Sequence, residues 1–160
     1  MLTGLVSVST NKGEQMSVIN MSKNIKQFHQ DYLICYKSGT FYHSYDKDAY
    51  IISNIFDYSI KKVNNDTLVS GFPRNAISKV MARLEREKIN YMIIDTRNNY
   101  GVDEKEDYGN LNKYNQKFEE AHKLVNIKIR VNKMSESLIK ECNLDKIREI
   151  ERIVYENRKI

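Results

Sequence analysis

Two short, almost uninterrupted apolar runs, Tyr32–Tyr36 and Ile89–Asp95, constrain the fold more than any other feature. Runs of strand length without polar alternation predict strands buried on both faces. Strand and helix signals alternate between them. Gly39 ends the first run, because it can turn the backbone where a side chain could not, and Phe41-Tyr42 predicts a short second strand after that turn. Ala49, Ile52, Ile55 and Phe56 recur at helical spacing behind Asp46, with Asp46 and Asp48 placed to favour the helix N-terminus. Tyr58–Val63 and Thr67–Phe72 read as a strand pair turning at Asn64-Asn65-Asp66, since Asn tolerates positive φ. Pro73 suits a first helical position. Ile77, Val80, Met81 and Leu84 form the stripe of a helix reaching about Lys88. The strand, helix and strand from Leu68 to Asp95 predict a right-handed parallel crossover.

The flanks differ. Residues 1–20 have few large apolar groups and read as a flexible arm. Residues 22–30 suit a short helix with Ile25 and Phe28 on one face. The α/β domain is expected over residues 21–100. Residues 101–110, within an acidic, turn-rich stretch, read as an exposed linker. Beyond it Leu111, Tyr114, Phe118 and Ala121, then Leu124, Ile127, Val131, Met134 and Leu138, follow three- and four-residue spacing. Asn143 can cap a last helix carrying Leu144, Ile147, Ile150 and Val154. Residues 111–160 are therefore a helical extension, either a hairpin or a dimerisation element.

Composition narrows the function only slightly. With 26 basic and 21 acidic residues the net charge is +5, which fits nucleic-acid binding and fits a lysine-rich surface equally well. Cys35 and Cys142 lie far apart without metal-ligand spacing, and neither a spanning apolar run nor a secretory signal is present. The expectation is a cytoplasmic protein without metal or cofactor. There is no Gly-x-x-x-x-Gly-Lys-Ser/Thr loop for ATP and no Ser/His/Asp or Cys/His set, while Glu85 and Lys88 have ordinary helix-surface spacing. The chain is expected not to be an enzyme.

The order of these signals is more specific than any one of them. Gly39-Thr40-Phe41-Tyr42-His43, Asp46-Lys47-Asp48-Ala49, Ser59-Ile60-Lys61-Lys62, Gly71-Phe72-Pro73-Arg74-Asn75-Ala76, Leu84 and Ile93-Ile94-Asp95 follow one another. The series resembles the N-terminal mismatch-recognition domain, domain I, of the MutS family of DNA mismatch-repair proteins, over about Lys26 to Asp95. The resemblance implies an α/β (α+β) fold: a mixed β-sheet flanked by helices, here followed by the helical extension. It implies mismatched or distorted double-stranded DNA as partner, with Phe41 as a wedge against an unpaired or mispaired base. Such a wedge kinks the duplex, which costs least where stacking is already weak.

His43 stands where the family has a base-contacting Glu, and Thr40 where it has an Asp. Both departures remove negative charge near phosphates. A His that is cationic below its ordinary pKa of about 6.5 would add to this. General DNA affinity is therefore expected ahead of mismatch discrimination. Lys37, Lys61, Lys62, Arg74 and Asn75 complete the expected DNA-facing set, with Lys79 as a further phosphate candidate. The alternative is a protein-interaction module that keeps the fold without mismatch recognition. A homodimer or protein partner would be held through residues 111–160. An exposed Phe41 beside Lys or Arg favours DNA, and a buried one favours the adaptor.

Overall fold

The computed structural model describes residues 12–158, which divide into two units after His122. The first is built on α1 (Lys12–Phe28), β1 (Leu33–Ser38), β2 (Phe41–Tyr45), α2 (Lys47–Phe56), β3 (Ile60–Asn64) and β4 (Thr67–Pro73). It continues through α3 (Ile77–Arg86), β5 (Tyr91–Asp95), β6 (Gly101–Glu106) and the opening turns of α4 (Leu111–Glu141). The six strands form one mixed sheet in the order β3-β4-β2-β1-β5-β6. β1 and β5 pair in parallel, and the other pairs are antiparallel. β4 and β5 run in the same direction, as the crossover requires, with β2 and β1 between them.

Burial on both faces explains the apolar runs. Leu33 and Cys35 of β1, with Tyr91 and Ile93 of β5, join a core that includes Ile51, Ile52, Leu84 and Tyr114. The alternate residues Ile34, Tyr36, Met92 and Ile94 pack on the opposite side with Ile19 of α1. A strand covered on both sides has no solvent face and so shows no alternation.

A buried polar junction ties the layers together. Asp48 is 3% exposed. Its carboxylate accepts from Lys26 Nζ at 2.7 Å, from the Tyr114 hydroxyl at 2.5 Å and from the Ile34 amide at 3.2 Å. Burial pushes its carboxyl pKa up, against the opposing pull of Lys26, Tyr114 and the Ile34 amide. Lys26 also donates to the Tyr32 carbonyl at 2.5 Å. Asp46 is turned away from capping: its side chain makes no cap bond to α2. Its Oδ1 accepts from the Leu68 amide at 3.0 Å, and its own amide donates to the Leu68 carbonyl at 2.9 Å. Neither carboxylate is the simple dipole partner that the sequence suggested.

Four other expectations are corrected. The arm expected over 1–20 is helical from Lys12, and the helix expected over 22–30 is the C-terminal part of α1; residues 1–11 lie outside the described residues. Ile19 and Ser22 are buried and Ile25 partly so, which gives α1 a seam, whereas Phe28 is 81% exposed. The linker expected over 101–110 contributes β6, antiparallel to β5. Its charged, alternation-free sequence, Asp103 to Glu106, belongs to an exposed edge, where charge blocks pairing with further strands. Pro73 closes β4 opposite Phe41 and precedes a 3-10 turn, Arg74–Ala76, so α3 starts later than expected.

The second unit comprises the rest of α4 and α5 (Leu144–Glu156). Asn143 caps α5 as expected, its Oδ1 accepting from the amides of Asp145 and Lys146 at 3.1 Å each. Leu124, Ile127, Val131 and Met134, the seam read from the sequence, are 46–58% exposed.

Candidate nucleic-acid interface

The β1–β2 hairpin turns through Gly39, at φ 61°, and Thr40, with Ser38 opposite Phe41. The positive φ is the reason for glycine here. Phe41 stands at the hairpin tip and is 45% exposed. Side chains alternate along β2: Tyr42 turns inward and stacks on Phe72, ring centroids 5.4 Å apart. Phe41 and His43 lie together on the other face, 6.2 Å apart and nearly parallel at 11°. The exposed ring is thus backed by a second flat ring and by the rigid sheet.

His43 lies directly over Gly71, its cross-strand partner. A Cβ on Gly71 would fall 2.8 Å from His43 Cδ2 and 2.9 Å from the Tyr42 carbonyl oxygen. Gly71→Ala is therefore expected to cost about 1–3 kcal/mol by overpacking, read as a lowered denaturation midpoint. Because the backbone oxygen cannot move aside, His43→Ala is not expected to restore it fully.

Burial lowers the His43 pKa from its ordinary value. The buried site therefore disfavours the cationic form of His43. The unfolded chain takes up this proton first, so stability is full above about pH 6.5 and falls as the pH drops below it. His29 is also lowered, by burial and by Lys105 and Lys26, and acts in the same sense. The melting temperature is expected to fall between pH 7 and 5.5, less steeply in His43→Gln.

The cationic candidates fall into separate groups. Lys37 and Arg74 meet with Gly39, Asp95 and Arg97 around a cleft of about 180 Å3 beside the hairpin turn. The Arg74 amide donates to the Thr40 carbonyl at 2.9 Å, which fixes the 3-10 turn against the hairpin. Lys37 Nζ lies 3.6 Å from Asp95 and 3.9 Å from Asp103, so part of its charge is spent. The Arg97 amide and Lys37 hold the Asp95 carboxyl below the usual carboxylate range, against its desolvation. Asn75 is exposed in the same turn as Arg74. Lys61 pairs with Val69, as Tyr45 does, and so shares the Phe41 face. Lys62 pairs with Leu68 and points to the opposite face. Lys79 is exposed on α3. Arg97 was not among the expected residues: it sits in a polar turn, and only the parallel pairing of β1 with β5 brings it beside Gly39.

The mixed sheet holds one aromatic ring clear of its core at the hairpin turn, with Lys37, Arg74 and Arg97 around the neighbouring cleft. The family model for MutS domain I matches residues 17–106, more than half of the chain. The chain belongs to the MutS domain I family, that of a mismatch-recognition-like domain. No curated protein matches it.

Proposed function

We propose that this chain binds double-stranded DNA at mismatched or distorted steps by inserting Phe41, and that it acts as a non-enzymatic module without ATP hydrolysis. The observation that carries the reading is the exposure of Phe41 at a hairpin turn whose Gly39 lines a cleft with Arg74 and Arg97; Lys37 lines that cleft too, but its pairing with Tyr42 sets it on the face opposite Phe41. An apolar side chain on a rigid support can enter a weakened base step, while the cations seat neighbouring phosphates. Thr40 at the turn and Lys61 on the same face extend that surface; Lys62, facing away, is assigned a minor share. With His43 in that place, no carboxylate stands at the family's base-contacting position, so the preference for mismatch is modest. Both thiols are free, which suits a reducing, cytoplasmic setting. Among the described residues no helix is long and apolar enough to cross a membrane.

The test is fluorescence anisotropy with labelled homoduplex, mismatch, loop and single-stranded DNA at two salt concentrations. The expected result is salt-sensitive binding that is tightest on loop and mismatch. Equal affinity for all four would remove the wedge from the account, and no binding at low salt would remove DNA.

The exposed seam favours a second copy of this chain as partner for the helical unit. From Lys123 to Glu141, α4 carries five basic and two acidic residues; α5 carries three basic and four acidic. A basic helix and an acidic helix with apolar stripes suit intermolecular pairing. Val131→Glu is expected to shift sedimentation from dimer to monomer while DNA selectivity persists. A wild-type monomer at high concentration rules the pairing out.

A further inference from the structure

Strands β1, β4 and β5 run in one direction, so their carboxyl ends open onto the same end of the sheet. The cleft of about 180 Å3 lined by Lys37, Gly39, Arg74, Asp95 and Arg97 stands there, since Gly39 follows β1, Arg74 follows β4 and Arg97 follows β5. We propose that this cleft is a phosphomonoester site, which takes the terminal phosphate of a broken DNA strand or of a free nucleotide. The strand-end form deepens the DNA reading above and rests on it; the free form does not.

Position is the first argument. In open α/β sheets ligands sit in the crevice outside the carboxyl ends of the strands, where turns from several strands converge on one group. Here those turns are fixed by their own bonds. The Thr96 amide and hydroxyl donate to the Lys37 carbonyl at 3.2 and 2.7 Å, which ties the Arg97 turn to β1. The Arg97 amide donates to Asp95 Oδ1 at 2.9 Å. Arg74 is held by its amide bond to the Thr40 carbonyl. A Cβ on Gly39 would lie 3.8 Å from Arg97 Nη2, so the guanidinium reaches back across the hairpin turn.

Charge selects the ester. The lining holds three cations, Lys37, Arg74 and Arg97, and one carboxylate, Asp95. Asp95 is engaged by the Arg97 amide and by Lys37 at 3.6 Å. Asp103, 3.9 Å from Lys37, stands outside the lining and is 40% exposed at its side chain, so water screens it. The ion pairs among the described residues include neither Arg74 nor Arg97. Two guanidinium forks are thus left to grip a phosphate bidentately. Three cations against one carboxylate match a monoester, which carries about −1.5 to −2 at pH 7 with three strong acceptor oxygens, better than a backbone diester, which carries one charge. The cleft is smaller than pockets that enclose a whole small molecule, roughly 300–1,000 Å3, so the phosphate enters and the rest of the ligand stays outside. Lys37 lies on the face opposite Phe41, and a strand end is free to turn toward it.

The test uses the full chain with hairpin-closed duplexes of one sequence, nicked with either a 5′-phosphate or a 5′-hydroxyl, and reads affinity by anisotropy. A nucleoside 5′-monophosphate and dimethyl phosphate are titrated separately and followed by the amide shifts of Gly39 and Arg97. If the site takes strand ends, the phosphorylated nick binds roughly tenfold more tightly than the hydroxyl nick, the scale of hydrogen bonds to a charged group. Arg74→Ala and Arg97→Ala, both at exposed positions, should each cut that ratio about threefold, and the double variant should bring it near one. Phe41→Ala should leave the ratio in place, because the wedge meets both nicks alike; this separates the cleft from the wedge. If the site takes a free ligand, the monophosphate saturates the Gly39 and Arg97 shifts at millimolar concentration or below while the two nicks bind alike. That arm reads the cleft even if the chain binds no DNA. The proposal is overturned if neither the ratio nor the shifts respond, if the response persists in the double arginine variant, or if dimethyl phosphate binds as tightly as the monophosphate.

Discussion

Phe41→Ala is expected to abolish most of the preference for mismatched or looped duplex while leaving matched-duplex binding nearly unchanged. Stacking of one base on an aromatic ring contributes about 1–3 kcal/mol. Because the preference is modest, the lower end applies: the loss on distorted DNA should be roughly 5-fold, and the ratio to homoduplex should approach one. The fold should not suffer, because the ring is 45% exposed and stands outside both cores; such surface changes usually move stability by less than about 0.5 kcal/mol. Arg74→Ala and Arg97→Ala provide the contrast. A phosphate contact carries no sequence information, so each should weaken all duplexes alike and lower the salt slope by about 0.9. If Phe41→Ala binds matched and mismatched duplexes as the wild type does, the wedge is wrong even though the ring protrudes.

The central strands were legible because their chemistry is local. Tyr32–Tyr36 and Tyr91–Ile94 are apolar at every position, and only a strand covered on both faces needs that. The inward turn of Tyr42 against Phe41 followed from strand alternation alone. β6 was illegible for the opposite reason: an edge strand carrying Asp103, Glu104, Lys105 and Glu106 has the composition of a loop, and pairing with β5 supplies what its side chains do not. The start of α1 was hidden by Ser, Asn and Gly, residues of low helical propensity, whose helix is held by tertiary packing of Ile19 and Ser22. At the site, Lys37, Thr40, Phe41 and Arg74 could be named from order along the chain. Arg97 could not, because its place beside Gly39 depends on a strand register that no local pattern encodes. The state of His43 was hidden in the same way, since a cross-strand glycine sets its burial.

Asp48→Ala is expected to be the most damaging single change to the fold. It would leave Lys26 Nζ, now bonded to Asp48 at 2.7 Å, with only the Tyr32 carbonyl and the Tyr114 hydroxyl. It would also leave the Ile34 amide, within a fully buried stretch of β1, without its carboxylate acceptor. Breaking a buried ion pair from one side costs about 3–5 kcal/mol, because the surviving charge stays desolvated. Lys26 is 25% exposed at its side chain, so the lower end, about 3 kcal/mol, is expected, with a fall in melting temperature on the order of 10–20 °C. Urea denaturation followed by tyrosine fluorescence measures it, since the chain has no tryptophan. Lys26→Met should cost a similar amount by stranding the carboxylate. The double change Lys26→Met with Asp48→Leu should cost less than the two singles together, because neither charge is then left alone. Additive losses would mean that the two residues act through separate contacts. Asp48 lies beyond the end of β2 remote from the hairpin tip, and its bonds run to α1, β1 and Tyr114 of α4. Well below the transition of Asp48→Ala, binding of mismatched duplex should therefore equal that of the wild type. A loss of binding there, with the fold intact, would place Asp48 in the interface and overturn its structural assignment.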